Sequence, residues 1–251
     1  MGFSRGPSIV TDGLVLALDA ANTKSYPGSG TTWNDLSGNG RNGTLTNGPT
    51  YSSANSGILQ LDGTNDTIRF TKDDSLINTS TMSVEMWVAV GNIGSSFAIL
   101  ITNRDSSDYR VAMMLGVDNR EVIREHNPNA DPMAAFVLVG NGTTASVAYK
   151  TGLFGTTNGD SNFHHIVGTF STGELKLYYD GELQHTNSSA VSSLHISTQT
   201  DGYYRIGGEY SAGSYTSNLT GEVASSKIYH KTLTASEVLQ NYNATKSRFG
   251  L

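Results

Sequence analysis

The chain has 251 residues, no cysteine, 28 glycines and only 15% charged residues, with a formal net charge of −6 at pH 7. This charge balance argues against a nucleic-acid-binding surface, which needs clustered lysine and arginine to neutralise phosphates. The lack of cysteine excludes disulfides, cysteine-ligated zinc and thiol catalysis. We expect no membrane-spanning segment, because the longest apolar run, residues 133–139, is far shorter than the roughly 18 apolar residues of a membrane span.

Apolar and polar residues alternate with a period of two along much of the chain, which is typical of half-buried β-strands. The clearest example is residues 82–90, where Val84 and every second residue to Val90 share one face, with Glu85 and Trp87 on the other. Further strands are predicted at residues 13–19, 58–61, 67–70, 109–115, 133–139, 144–149, 163–170, 175–179, 203–206 and 223–229. The turn residues between these segments have the spacing of an antiparallel sandwich.

Two segments depart from this alternation. Residues 22–56 are rich in Gly, Asn, Ser and Thr, which indicates a long ordered or disordered loop. Near the C-terminal end, residues 234–237 (TASE) form a capping box that predicts the start of a helix. Val238, Leu239 and Tyr242 give this helix a narrow apolar stripe, so we expect it to cover an exposed edge or end of a sheet.

Eight short motifs follow one another in order between residues 13 and 234. They are GLVLALDAAN (13–22), WNDLSGNGRNG (33–43), LDGTND (61–66), SVEMWV (83–88), FHHIVGTF (163–170), LYYDG (177–181), RIGG (205–208) and IYHKTLT (228–234). This series resembles the laminin-G-like branch of the concanavalin A-like lectin/glucanase superfamily. The resemblance implies one all-β domain over residues 1–251, a jelly-roll sandwich of two antiparallel sheets with one short C-terminal helix and a short N-terminal arm.

The two end segments, residues 6–13 and 241–249, carry a narrower resemblance to virion proteins of tailed phages, marine cyanophages in particular. It implies a non-enzymatic virion structural protein, such as a capsid decoration, a tail fibre or another appendage, assembled in the host cytoplasm. We expect no secretory signal segment, which fits that route. The implied partners are other capsid or tail proteins, a host surface glycan and, in a homo-oligomer, further copies of the chain. A carbohydrate-binding adhesion module and a polysaccharide hydrolase or lyase are the alternatives.

The hydrolase alternative depends on paired carboxylates. Glycosidases need two carboxyl groups about 5–9.5 Å apart, and residues i and i+2 of a strand lie about 7 Å apart on one face. For the hydrolase branch, the resemblance implies a Glu-x-Asp-x-x-Glu motif, and no such motif occurs here. Glu85 stands alone on its strand, and the adjacent His164 and His165 must point to opposite faces, so they cannot hold a metal together. We therefore predict that the chain is not an enzyme and that single histidines are buried and hydrogen-bonded.

Glycan binding needs exposed aromatic rings beside polar groups. The predicted ligand-binding residues are Trp87, Tyr109, Tyr203 and Tyr204, with Tyr210 also available. For each of these rings the alternative is ordinary packing in the core or on a sheet face.

Calcium is the one candidate cofactor. Asp35 and Asn39 are its candidate ligands, because they lie in an oxygen-rich segment containing glycine. Related sandwiches often place an acidic pair near the last long strand, where this chain has Ala224 and Ser225, and this departure counts against calcium. The alternative is that Asp35 and Asn39 bind backbone N–H groups of their own loop as Asx turns.

Overall fold

The computed structural model describes residues 7–93, 97–103, 110–118, 133–154, 159–196, 204–211 and 214–251. In this part of the chain two antiparallel β-sheets face each other, accompanied by a two-stranded ribbon and one α-helix. The predicted fold class, an all-β sandwich of two antiparallel sheets with one short C-terminal helix, is confirmed. None of the described helices is long and apolar enough to cross a bilayer.

Sheet A is centred on two ten-residue strands that pair with each other. Across the sheet its strands are β14 (Glu182–Asn187), β13 (Glu174–Tyr179), β12 (Phe163–Ser171), β7 (Thr81–Val90), β18 (Thr220–Tyr229), β5 (Ile58–Asp62) and β4 (Thr50–Ser52). One further strand, β1 (Leu14–Asp19), pairs with the C-terminal half of β18, whereas β5 pairs with its N-terminal half.

Sheet B packs against sheet A. Across the sheet its strands are β11 (Ala145–Thr151), β10 (Ala134–Gly140), β9 (Met113–Asp118), β8 (Phe97–Thr102), β15 (Arg205–Ile206), β6 (Thr67–Phe70), β3 (Gly43–Thr46) and β2 (Thr32–Trp33). The separate ribbon consists of β16 (Glu209–Ser211) and β17 (Ser214–Thr216). Strands β5 to β8 alternate between the two sheets, as expected of a jelly roll.

The main core lies between the sheets. In β7, the predicted inward face from Val84 to Val90 belongs to this central cluster. Trp87 lies on the outer face of sheet A in a second cluster with Phe163 and Ala224. The alternation predicted for this strand is therefore confirmed, but both of its faces are buried.

The C-terminal helix α1 (Ala235–Thr245) begins at the predicted capping box, which is confirmed. Thr234 Oγ1 accepts from Glu237 N–H at 3.3 Å, and Glu237 Oε2 accepts from Thr234 N–H at 2.9 Å. The helix contacts the edge strand β14, as expected, but it also lies over the outer face of sheet A, where Tyr242 packs on Trp87. The apolar side chains of that face account for this placement, since they would otherwise be exposed to water.

Three local details differ from the sequence pattern. Residues 22–56 contain the short strands β2, β3 and β4 within the expected loop. Residues 109–115 overlap a strand that begins only at Met113, and residue 109 lies outside the described residues. Strand β14 is polar and half-exposed, so no apolar alternation marks it in the sequence.

Candidate functional site

Several turns meet at one end of the sandwich. We call this the loop end and define it by residues 62–66, 90–93, 159–162, 207–211 and 214–220. Antiparallel pairing brings these segments together. Phe163 at the start of β12 lies opposite Ala89 near the end of β7. Thr220 at the start of β18 lies opposite Asp62 at the end of β5.

Hydrogen bonds hold the segments of the loop end in place. Gly91 N–H donates to Thr220 O at 2.8 Å. Asn218 Nδ2 donates to Thr64 O at 2.6 Å. Gly63 is required in the turn between β5 and β6, because its φ is +78° and a Cβ there would lie 1.9 Å from Thr220 Oγ1. The geometry of this end is thus set by the backbone rather than by long side chains.

A cleft of about 270 Å³ opens at the loop end on the sheet A side. Its lining residues are mostly small or polar, and they are Gln60, Leu61, Ala89, Gly91, Ser161, Thr220, Gly221 and Glu222. Gln60 Nε2 donates to Glu222 Oε1 at 2.9 Å across β5 and β18. The cleft therefore offers amide, hydroxyl and carboxylate groups to a polar ligand, with a single acidic side chain among its lining residues.

A ribbon with paired tyrosines projects from the loop end on the sheet B side. Tyr210 and Tyr215 are direct cross-strand partners, with ring centroids 4.9 Å apart and planes tilted by 59°. The guanidinium carbon of Arg205 lies 5.5 Å from the centre of the Tyr210 ring. Arg205 points outward from sheet B, since its neighbours Tyr204 and Ile206 are in the core. We call β16 and β17 together the tyrosine ribbon.

His164 lies between two carboxylates near the loop end. Its Nδ1 is 2.8 Å from Asp180 Oδ2, and its Nε2 is 2.9 Å from Asp160 Oδ2. Burial would lower the pKa of His164, but the hydrogen bonds and charges of Asp180 and Asp160 outweigh burial and raise it above the usual value. Both ring nitrogens face carboxylates, so the imidazole has no free nitrogen for a metal or a substrate. The described residues contain no group of three acidic, histidine or cysteine side chains that could hold a metal ion.

We expect the stabilisation from His164 to be greatest at low pH. Its pKa is raised in the folded state, so this stabilisation is fully present below the ordinary value of 6.5 and is lost as the pH rises through the folded value. In urea unfolding at about pH 5.5 and about pH 9, the difference between wild type and His164→Gln should be larger at the lower pH. Asp160→Asn should reduce that pH dependence. If the difference in unfolding free energy between wild type and His164→Gln is equal at both pH values, the pKa of His164 is not raised in the folded protein.

Glu85 lies on the outer face of sheet A but is fully buried beneath α1. Its Oε1 is 2.6 Å from Lys227 Nζ and 3.2 Å from His165 Nε2. Its Oε2 accepts from Asn241 Nδ2, on the helix, at 2.5 Å. Burial would raise the pKa of Glu85, but the Lys227 charge and the hydrogen-bonding contacts of Lys227 and His165 outweigh burial and hold it well below the usual range. An ionised, paired carboxylate without access to solvent has the features of a structural group rather than of a general acid.

Trp87 is sealed under the C-terminal segment, residues 235–251. Its ring stacks on Phe249 at 4.4 Å and on Tyr242 at 5.7 Å between centroids. Its Nε1 donates to Thr245 Oγ1 at 2.8 Å. Arg248 fastens the end of the segment through an ion pair with Asp19 at 2.7 Å. The predicted platform residue at position 87 thus holds the C-terminal segment to sheet A.

The remaining predicted platform residues are not gathered into one site. Tyr204 is buried in the main core, so the expectation of exposed rings at Trp87 and Tyr204 is corrected. Each ring fills a well-packed apolar cluster, which is the more common environment for aromatic side chains. Tyr109 and Tyr203 lie outside the described residues. Tyr210 is exposed and belongs to the tyrosine ribbon.

The sequence alone did not identify the residues that contact Tyr210 and Glu85. Tyr215 could have been found, because Gly213 lies between the two tyrosines, and a short glycine-containing span between polar strands is typical of a hairpin. Lys227 and Asn241 carry no such local signal, since they lie 142 and 156 residues from Glu85.

Asp35 covers the free edge of β1. Its Oδ1 accepts from the N–H groups of Ala17 and Ser37, and its Oδ2 accepts from Ser37 Oγ and Arg41 N–H. Asn39 Nδ2 donates to Val15 O at 3.1 Å. Both carboxylate oxygens of Asp35 already accept hydrogen bonds, and Asn39 turns its donor toward the strand, so this loop does not fit calcium. The arrangement supports the Asx-turn alternative and protects a sheet edge.

Two facing antiparallel sheets, with a cleft and an exposed ribbon at one looped end, define a lectin-like β-sandwich. Residues 62–239 match the concanavalin A-like lectin/glucanases superfamily, and the chain belongs to this family. The resemblance to the laminin-G-like branch is thereby confirmed at the level of the family. No curated protein sequence matches the chain.

Solved structures with the same fold include bacterial toxin binding domains. The binding domain of Paraclostridial Mosquitocidal Protein 1 has 15% identity and a TM-score of 0.68, covering 93% of this chain and 52% of that one. The botulinum neurotoxin serotype D binding domain has 13% identity and a TM-score of 0.65, with coverages of 93% and 52%. The binding domain of botulinum neurotoxin DC in complex with rat synaptotagmin II has 12% identity and a TM-score of 0.65, with coverages of 94% and 52%. The chain therefore spans about half the length of these structures, and the likeness is one of fold.

Proposed function

We propose that this chain is a non-catalytic binding protein of a tailed-phage virion, which binds a host surface glycan through the loop end. The observation that carries the proposal is a contrast between two surfaces. The outer face of sheet A, with Glu85 and Trp87, is closed by the C-terminal segment. The loop end is open and combines a polar cleft with the exposed Tyr210 ring.

The non-catalytic part of the proposal is supported by the surroundings of the carboxylates. Glu85 contacts Lys227, His165 and Asn241 and is sealed from solvent. Hydrolysis of a glycoside needs two carboxyl groups on either side of the bond. Glu222 is the single acidic residue among those that line the cleft. The family hosts both lectins and glucanases, so the chemistry of the site rather than the fold supports binding.

The virion part of the proposal rests on the two end segments. Their described portions form one unit, because Val10 N–H donates to Asn241 Oδ1 at 2.7 Å and Gln240 Nε2 donates to Ser8 O at 2.7 Å. A resemblance carried by residues 6–13 and 241–249 is therefore a resemblance of one surface of the domain. In this proposal the protein is assembled in the host cytoplasm and joins the particle through contacts with other virion proteins.

Two measurements test this proposal. Mass spectrometry of purified virions should find the chain in stoichiometric amounts. The isolated protein should bind host surface polysaccharide in a pull-down without releasing new reducing or unsaturated ends over a long incubation. Release of such ends by wild type, lost in Glu222→Gln or Glu85→Gln, would instead establish a hydrolase or lyase. If the chain is absent from virions, the virion assignment is wrong. Glycan binding is then decided by the pull-down alone.

A further inference from the structure

We infer that the tyrosine ribbon is a stacking subsite for a pyranose ring of a glycan, with Tyr210 as the platform and Tyr215 and Arg205 as its supports. The inference rests on the proposed function and states where the glycan would be held. This subsite does not include Trp87 or Tyr204, the candidates from the sequence, because both are buried in apolar clusters.

Exposure singles out Tyr210. It is 41% exposed, and in the described part of the chain no other aromatic residue is more than about a third exposed. The other described tyrosines and tryptophans are buried or half-buried, including the second tyrosine pair, Tyr26 and Tyr51. Single exposed apolar side chains are common on protein surfaces, so the exposure of Tyr210 carries weight only together with the contacts that hold its ring in place.

The Tyr210 ring is held in a defined position before any ligand arrives. Tyr215 supports it from the opposite strand, and the guanidinium of the buried Arg205 lies against it at cation–π distance. Thr216 Oγ1 donates to the buried Glu209 Oε1 at 3.1 Å, which ties the two strands together on the other face of the ribbon. A ring that is already ordered loses little conformational entropy when a ligand stacks on it.

The chain leaves sheet B for the ribbon through two glycines. Gly207 has a φ of +91°, and a Cβ there would lie 2.0 Å from Leu61 Cδ2. Leu219 N–H then donates to Gly207 O at 2.9 Å, which closes the base of the ribbon. The ribbon is therefore anchored to the core and presents Tyr210 in one orientation.

The surroundings of Tyr210 fit a sugar better than a protein partner. Protein interfaces place their aromatic anchors among other side chains that exclude water. The other exposed large apolar residues of the described chain all lie outside residues 204–220, and they are Leu36, Val147, Leu183, Ile196, Leu239 and Leu251. The side chains of Ser214 and Thr216 are exposed and polar, and they project from the other face of the ribbon, because successive strand residues alternate. A pyranose has one face of C–H groups, which can pack on an aromatic ring, and a rim of hydroxyls, which stays hydrated where no other large apolar side chain is exposed.

Binding of defined oligosaccharides tests the subsite. Isothermal titration would use cellohexaose, laminarihexaose and galactohexaose as neutral probes and a polygalacturonate oligomer as an acidic one. We expect wild type to bind at least one of them and Tyr210→Leu to bind it at least about tenfold more weakly, because leucine keeps apolar bulk without a flat face. Tyr210→Phe keeps the ring and should bind nearly as well as wild type. Ser214→Ala, on the same ribbon, is the matched control and should also retain affinity.

The outcomes separate the subsite from the proposed function. If wild type and Tyr210→Leu bind the oligosaccharide equally well, the subsite is wrong. Glycan binding at the loop end would then be assigned to the cleft. Binding that is lost equally in Tyr210→Phe and Tyr210→Leu would show that the hydroxyl rather than the ring face is used, and would also overturn it. If wild type binds none of the probes, both the subsite and glycan binding by this chain are wrong, whereas presence in virions would still be decided by mass spectrometry. Unchanged melting temperatures in the variants would exclude unfolding as the cause of any loss.

Discussion

Lys227→Met is expected to lower the free energy of unfolding by about 3–5 kcal/mol, because it leaves the buried Glu85 carboxylate without its main counter-charge. The two side chains are cross-strand neighbours, and their Oε1 and Nζ atoms are 2.6 Å apart with almost no exposure to solvent. Methionine fills a similar volume, so the loss would be electrostatic rather than a cavity effect. Urea unfolding of the purified protein near neutral pH measures it.

A matched control lies on another strand of the same sheet. Lys176 pairs with Glu174 at 2.5 Å, but both side chains are partly exposed. Lys176→Met should therefore cost only about 0–1 kcal/mol. The double variant Glu85→Leu with Lys227→Met should recover most of the loss, since an apolar pair needs no counter-charge. If Lys227→Met lowers the free energy of unfolding no more than Lys176→Met does, the buried ion pair does not stabilise the domain.

The same pair predicts a pH dependence of defined sign. The pKa of Glu85 is lower in the folded protein than its ordinary value of 4.5. Its stabilisation is therefore fully present above that value and is lost as the pH falls through the folded value. The difference in unfolding free energy between wild type and Lys227→Met should shrink on acidification, because a protonated Glu85 no longer needs Lys227. This is opposite in direction to the loss expected for His164, which occurs on going to alkaline pH.

Local patterns in the sequence predict the elements of this fold but not what covers them. The alternation in β7 and the capping box at Thr234 are each contained within ten residues, and both are confirmed. The same alternation assigns Glu85 and Trp87 to the outer face, which a single strand would leave in water. Only the pairing with β18 and the docking of α1, more than 140 residues away, turn that outer face into a second buried layer.

In the candidate site, too, the sequence predicts local features but not which side chains are exposed. A composition rich in tyrosine identifies candidate platforms, but exposure depends on which face of which sheet a ring occupies. Tyr204 and Tyr210 lie six residues apart, and one is buried in the core while the other is exposed on the ribbon. Two glycines between them redirect the chain. The Asp35 loop is a further case, because its carboxylate meets Ala17 N–H, eighteen residues earlier, instead of a cation.

Trp87→Ala is expected to cost about 3–5 kcal/mol of unfolding free energy and to loosen the C-terminal segment. The substitution removes a fully buried ring that stacks on Phe249 and Tyr242, and it also removes the hydrogen bond to Thr245. Trypsin followed by mass spectrometry provides the local readout, because Lys246 and Arg248 lie within the segment that the ring holds down.

We expect cleavage after Lys246 and Arg248 to be much faster in Trp87→Ala than in wild type, under conditions where both proteins remain folded. Leu239→Ala is the control on the same helix, since its side chain is 45% exposed, and it should change stability by no more than about 0.5 kcal/mol. Trp87→Phe retains part of the stacking, so its rate of cleavage should lie between those of wild type and Trp87→Ala. Because Trp87 acts through the fold, any glycan affinity lost in Trp87→Ala should follow the loss of stability, whereas affinity lost in Tyr210→Leu should not. Trypsin resistance of Trp87→Ala equal to that of wild type would show that the C-terminal segment is held mainly by Arg248 and Asn241.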